Sequence, residues 1–346
     1  MFTTRAQAQH GFTLIEVMVS ITVGLILLSG VLSIFISNKT AYRLQESTNV
    51  LDENARYALD QIQYHLRLGD HWGGVEAADI DVDGPLAALP IASQCTESRV
   101  ISTVGFYGIE GSPTTPLDCI PNGDYKPNTD ILIVRYAEPE RSFEPPLAGH
   151  PTVSAGEIYL HAHVGFAGRL FKGNALSSLP SDVFAPASVA EPTKPTDHAN
   201  YRFMTAIYFI RRCASQDHGN PNLCDADDDT TPTLARLVLQ GTDLVQEDVV
   251  AGVEQLQARY GKLTSSSPPD IQYYDATTVG ANNDWPRIVN VQVSLVLRGS
   301  EFDVTHSDER SFDLYGGYTF HPATADQHFS RKQFNFAVQI RNLTRG

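Results

Sequence analysis

An α+β fold is predicted, with one very long N-terminal helix packed on a large antiparallel β-rich head. Three observations predict it. Residues Val17 to Asn38 form a run of 22 without a single charge. Beyond that run, apolar residues recur at helical spacing as far as Leu66, and the remaining chain carries segments that alternate apolar and polar residues. With 346 residues, 42% hydrophobic and 19% charged, the chain can bury a sizeable core, which excludes disorder, collagen and coiled-coil rods as descriptions of the whole.

The uncharged run, as a helix, rises about 33 Å and matches a hydrocarbon core of about 30 Å. Arg5 precedes it and the acidic bulk follows, so the positive-inside rule leaves residues 1–11 in the cytoplasm and exports residues 39–346. Leu44, Leu51, Ala55, Leu59, Ile62 and Leu66 then trace one helical face. Arg43, Glu46, Asp52, Arg56, Asp60 and Arg67 mostly fall elsewhere, and Gly69 with Gly73-Gly74 supplies the stop. One helix from 12 to 68 is expected, with 12–38 as its membrane half and 39–68 as its amphipathic half. No proline interrupts it, so no sharp kink is predicted. The head, 69–346, has clear strand patterns over Arg287 to Arg298 and Gln333 to Arg341. Weaker ones lie over Val100 to Tyr107, Asp130 to Tyr136, Glu157 to Val164, Phe203 to Ile210 and Thr233 to Leu239. Segments with Pro and Gly separate them, and 178–200 reads as an irregular excursion.

Three readings compete for the N-terminus. A conventional signal peptide would end in a small-x-small site, but Ile34-Phe35-Ile36-Ser37-Asn38-Lys39 offers none. A plain anchor has no need of Glu16, whose burial in lipid costs roughly 2.5 kcal/mol or more. The string Gly11-Phe12-Thr13-Leu14-Ile15-Glu16, followed by Val17-Met18-Val19-Ser20, closely resembles the type IV prepilin motif. The resemblance implies a type IV pilin-like fold, a leader of residues 1–11, cleavage by a prepilin peptidase after Gly11, and N-methylation of the new N-terminal Phe12. Glu16 becomes the assembly carboxylate, and a buried carboxylate needs a cation, most economically the Phe12 amine of a neighbouring subunit.

Further stretches sharpen the resemblance. Asn54 to Leu59 with Leu66-Arg67, Gly252 to Gly261, Asp284-Trp285-Pro286 to Arg298, and Phe336 to Asn342 together are similar to the PilW family of minor pilins. Residues 76–240 carry none of its motifs. Membership implies a low-abundance pilin that joins other minor pilins and the major pilin, helps initiate assembly on the inner-membrane platform, and stays near the pilus tip, where a tip adhesin is a further partner. The implied route is from the bacterial inner membrane, head in the periplasm, to the cell surface. A J-like minor pseudopilin of a type II secretion system and a pilus-borne adhesin module are the alternatives.

Other candidate sites lie on the head. Asp79, Asp81 and Asp83 alternate before Gly84, an arrangement by which a turning loop aims oxygens at calcium, although Pro90 stands where an EF-hand needs its closing Glu. Asp225, Asp227, Asp228 and Asp229 lack the glycine. Cys95, Cys119, Cys213 and Cys224 have no Cys-x-x-Cys spacing, so zinc is not expected. In an exported domain they should oxidise, and the sequence-local pairing, 95 to 119 and 213 to 224, is the one expected. His161 and His163 share one side of a strand, with His150 nearby, and are read as ordinary strand histidines. Beyond the calcium candidate no cofactor is expected. No Walker loop, dinucleotide fingerprint, His-Glu-x-x-His or Gly-x-Ser-x-Gly occurs, so no enzyme is expected. The net charge of −15 argues against direct nucleic-acid binding.

Overall fold

A computed structural model describes residues 13–82, 95, 100–142, 149, 151–178, 198–214, 224, 229–304 and 306–340. The chain divides into two units, Met1–Val50 and Leu51–Gly346. Helix α1, Leu14–Leu68, runs through both.

In the first unit the helix is apolar all round and its side chains are exposed from Leu14 to Phe35. Such a surface is stable only inside lipid or against other protein. Its polar side chains are turned back onto the helix. Ser20 Oγ donates to the Glu16 carbonyl at 2.7 Å, Thr22 Oγ1 to the Met18 carbonyl at 3.0 Å and Thr40 Oγ1 to the Ile36 carbonyl at 3.1 Å. Each hydroxyl is thereby satisfied within the helix and needs no water.

In the second unit the helix buries Leu51, Ala55, Ala58, Ile62, His65 and Leu66 along one stripe. The chain leaves the helix at Asp70, whose φ of 62° takes the left-handed position expected of a terminating glycine. Gly69 is needed for a different reason. A Cβ there would lie 2.1 Å from Phe106 Cζ, so the glycine admits the aromatic ring to the helix end.

The strands, in order, are β1 (Ile80–Val82), β2 (Phe106–Ile109), β3 (Ile131–Ser142), β4 (Ile158–His163), β5 (Ala167–Lys172), β6 (His198–Arg211), β7 (Thr233–Gln240), β8 (Asp243–Ala251), β9 (Val253–Leu263), β10 (Ile271–Tyr274), β11 (Ile288–Phe302), β12 (Phe312–Asp313), β13 (Thr319–Phe320) and β14 (Phe329–Gln339). A short helix α2, Ala276–Ala281, is capped by Asp275, whose side chain accepts from Thr278 N. The larger sheet has the order β1-β5-β4-β6-β3-β2, and β7 continues from the second half of β6 to β8. The smaller is β10-β9-β11-β14. Among the described residues only β1 with β5 is parallel; every other pairing in these sheets is antiparallel.

Two large cores follow from strand alternation, and a third, small one joins Val296 to Phe312 and Leu314. Met204, Ala206, Tyr208 and Ile210 of β6, and Leu132, Val134 and Tyr136 of β3, face the helix stripe and the inner face of the small sheet. Phe203, Ile207 and Phe209, with Ile131, Ile133 and Ala137, face the other way onto Trp72, Val100, Ile101, Leu117 and Ile120. That is why β3 and β6 read as nearly continuous apolar runs, since both of their faces are buried. On β11, Val291, Val293, Leu295 and Leu297 share the first core, as their spacing predicts. A bulge between Ile288 and Asn290 switches the parity, so Ile288 rather than Val289 takes the core side.

Candidate functional site

Two described residues, Thr13 and Glu16, cap the start of α1. Thr13 precedes the helix and Glu16 lies in its first turn. Thr13 N and Oγ1 donate to Glu16 Oε2 at 3.4 and 3.3 Å, and Glu16 N donates back to Thr13 Oγ1 at 3.3 Å. This reciprocal capping box satisfies donors that a helix start otherwise leaves bare. The sequence reading missed this cap, and the Thr-x-x-Glu spacing is the signal that could have found it. Glu16 is therefore a helix cap in the isolated chain, and Oε1 has no partner among the described residues. Gly11 and Phe12 lie outside the described residues.

The head's predicted sites are placed as follows. Asp79 closes a single 3₁₀ turn and Asp81 lies in β1, where it pairs with Arg169 at 3.7 Å. The segment is thus a turn running into an extended strand, and Asp83 falls outside the described residues, as do Asp225, Asp227, Asp228 and His150. Asp229 accepts from Thr231 N in a local turn and from Ala214 N, fifteen residues earlier. Disulfides join Cys95 to Cys119 and Cys213 to Cys224. His161 Nδ1 bonds to Asn200 Oδ1, and His163 stacks on Phe166 with ring centroids 4.5 Å apart. Ligand atoms of Asp124, Cys213 and Cys224 lie within 4.8 Å of one another. The two sulfurs are bonded to each other, and Arg211 Nε holds the Asp124 carboxylate at 2.8 Å, so this trio offers no thiolate to a metal.

Buried charge and polarity elsewhere escaped the sequence reading. Arg331 grips Glu254 through two bonds of 2.6 and 3.1 Å, Arg298 lies 3.8 Å from the same carboxylate, and all three side chains are almost fully buried. Arg211 bridges Asp124 and Asp248. On the helix, Arg236 Nη1 meets His65 Nε2 at 3.1 Å. An arginine can only donate, so Nδ1 carries the ring proton and donates to the Tyr136 hydroxyl at 3.2 Å. Burial, reinforced by Arg236, pushes the His65 pKa down to about 4. Burial raises Asp70 to about 6 although Trp72 donates to it, and raises Asp130 to about 7, with the nearby Glu110 carboxylate adding to the shift.

Compared with known families, residues 7–32 match the prokaryotic N-terminal methylation motif, and residues 207–342 match the family described as Type IV Pilus-assembly protein W. The second match begins within β6 and takes in the whole small sheet. No curated protein matches the chain, and no solved structure does. A methylation-motif segment opening a long apolar helix, joined to a β-rich head, defines a prepilin-like, membrane-anchored pilus component. Within that class the two matches support a PilW-family protein, a minor pilin of a type IV pilus that works with other pilins and the assembly machinery, the second match covering residues 207–342 of the chain.

Proposed function

We propose that this minor pilin helps to initiate pilus assembly and resides at or near the pilus tip. The observation that carries the reading is the first unit of α1. It is a helix long and apolar enough to cross a membrane, with none of its most apolar stretch buried by its own chain, and it opens with a carboxylate that has one oxygen to spare. Such a helix is completed by lipid first and by neighbouring helices afterwards. About 278 residues follow Leu68, and a head of that size would crowd a repeating lattice but fits where few copies sit. Cleavage after Gly11 and methylation of Phe12 belong to the same reading, with Glu16 of one subunit taking the Phe12 amine of the next.

Mass spectrometry of membrane and sheared-surface forms tests it. The chain should begin at N-methylated Phe12, and Glu16→Val should be processed normally yet reach sheared pili about a hundredfold less, as expected when one partner of a buried pair is removed. A chain that keeps residues 1–11 in cells with active peptidase would overturn the pilin reading. For the tip, immunogold labelling of native pili should decorate ends; label spaced along the shaft would refute that placement.

A further inference from the structure

A strand at the margin of a sheet presents unpaired backbone groups, and proteins usually blunt such margins with short length, charge, proline or bulges. Among the described strands most margins are blunted. β1 has 3 residues, and β2 and β10 have 4 each, β10 following Pro268 and Pro269. β8 is longer but carries Asp243, Glu247 and Asp248 and adjoins a bulge at Leu234/Ala235. β14 is different. It runs for 11 residues without proline, pairs with β11 in unbroken register from Arg331 to Gln339, and has no ionisable side chain after Lys332.

The hydrogen-bond parity says which groups are free. Ile340 N donates to the Val289 carbonyl at 2.9 Å, and Arg298 N, on the opposite side of β11, donates to the Gly252 carbonyl at 2.8 Å. Odd residues of β11 therefore bond towards β14 and even residues towards β9. In antiparallel register this turns the backbone groups of Lys332, Phe334, Phe336 and Val338 inward, and those of Gln333, Asn335, Ala337 and Gln339 outward. Among the described residues, no backbone bond reaches these outward groups from another strand. The side chains agree with an incomplete sheet. Phe334 and Phe336 point to the main core but are only partly buried, while Asn335, Ala337 and Gln339 are exposed on the other face.

We propose that the outer edge of β14 is a docking edge for an extended segment of a different pilin subunit, added as a fifth strand of the small sheet. The free N–H and C=O row accepts only extended backbone. The lack of charge over Gln333 to Ile340 and the half-covered Phe334 and Phe336 select a segment that is uncharged over about seven residues, with alternate apolar side chains on the core side. The inference rests on the pilus reading only for the source of that strand.

The experiment compares the full-length chain in detergent, alone and with the co-expressed pilins of its own assembly, by residue-resolved hydrogen exchange. Alone, the amides of Gln333, Asn335, Ala337 and Gln339 exchange freely, and in the complex they slow by about tenfold or more, while those of Phe334, Phe336 and Val338 are protected in both. Ala337→Pro removes one outward donor without touching the β11 ladder and should weaken complex formation about fivefold to tenfold, the loss of one backbone bond. Ala337→Val, which keeps the N–H, should assemble like the parent. Equal exchange of the four amides alone and in the complex overturns the proposal, as does normal assembly of a folded Ala337→Pro chain. Protection of the same amides by self-association of the chain alone would assign the edge to a second copy and overturn the choice of partner. Should Ala337→Pro fail to fold, the exchange comparison on the parent decides. The N-terminal mass, read on the same material, reports separately on whether the pilin reading holds.

Discussion

At the scale of single residues, the head is sensitive to proton uptake at groups that oppose one another. His65 has a depressed pKa when folded, so the unfolded chain binds more protons between about pH 4 and 6.5, and stability falls as the pH is lowered through that window. The loss amounts to about 3 kcal/mol at its acid end. Asp70 has a raised pKa, so the folded chain holds the extra proton between its ordinary value and about 6, and stability falls as the pH rises through that window. Urea titrations at pH 4.5 and 7.5 separate the two. Asp70→Asn, which keeps the left-handed backbone and the acceptor for Trp72, should be more stable than the parent at pH 7.5 by about 1 to 3 kcal/mol and nearly equal to it at acid pH. His65→Gln should flatten the acid limb instead. At the other end of the fold, Arg331→Met strips Glu254 of its bidentate partner while leaving it buried, and should cost about 3 to 5 kcal/mol in the same assay.

At the scale of elements, the second half of the helix and β11 were legible because their periodicity comes from one buried face, and β3 and β6 because burial on both faces makes them apolar runs. β9 was not. Its Glu254, Gln255 and Gln257 look like solvent residues, yet all three are buried. Arg331 neutralises the first, and Asn128 O accepts from the side chains of the other two. Partners so distant in sequence leave no local trace. The segment Val100 to Tyr107 alternates too little because only its end is strand; Val100 and Ile101 instead plug the second core. Packing at these elements is testable by melting. Ile62→Ala, wholly buried between helix and sheets, should lose about 2 to 5 kcal/mol. Gly108→Ala should destabilise more than its one methyl group suggests, because a Cβ there would lie 1.9 Å from the buried Tyr260 hydroxyl.

At the scale of the whole molecule, the N-terminal motif was legible as a string because it is local and contiguous, with Gly11 and Phe12 outside the described residues, whereas the head's polar networks are assembled from residues up to 280 positions apart. The disulfides act globally as well. They close spans of 24 and 11 residues, and loss of either by paired Cys→Ser substitution should lower stability by about 3 kcal/mol in a denaturant titration. The capping box carries a consequence for the chain while it waits in the bilayer. A bare carboxylate in lipid is costly, but Glu16 is already solvated by two donors of its own residue Thr13. On the proposed assembly role, joining the filament would exchange these donors of Thr13 for the Phe12 amine of the next subunit, so that Glu16 leaves one partner as it gains another.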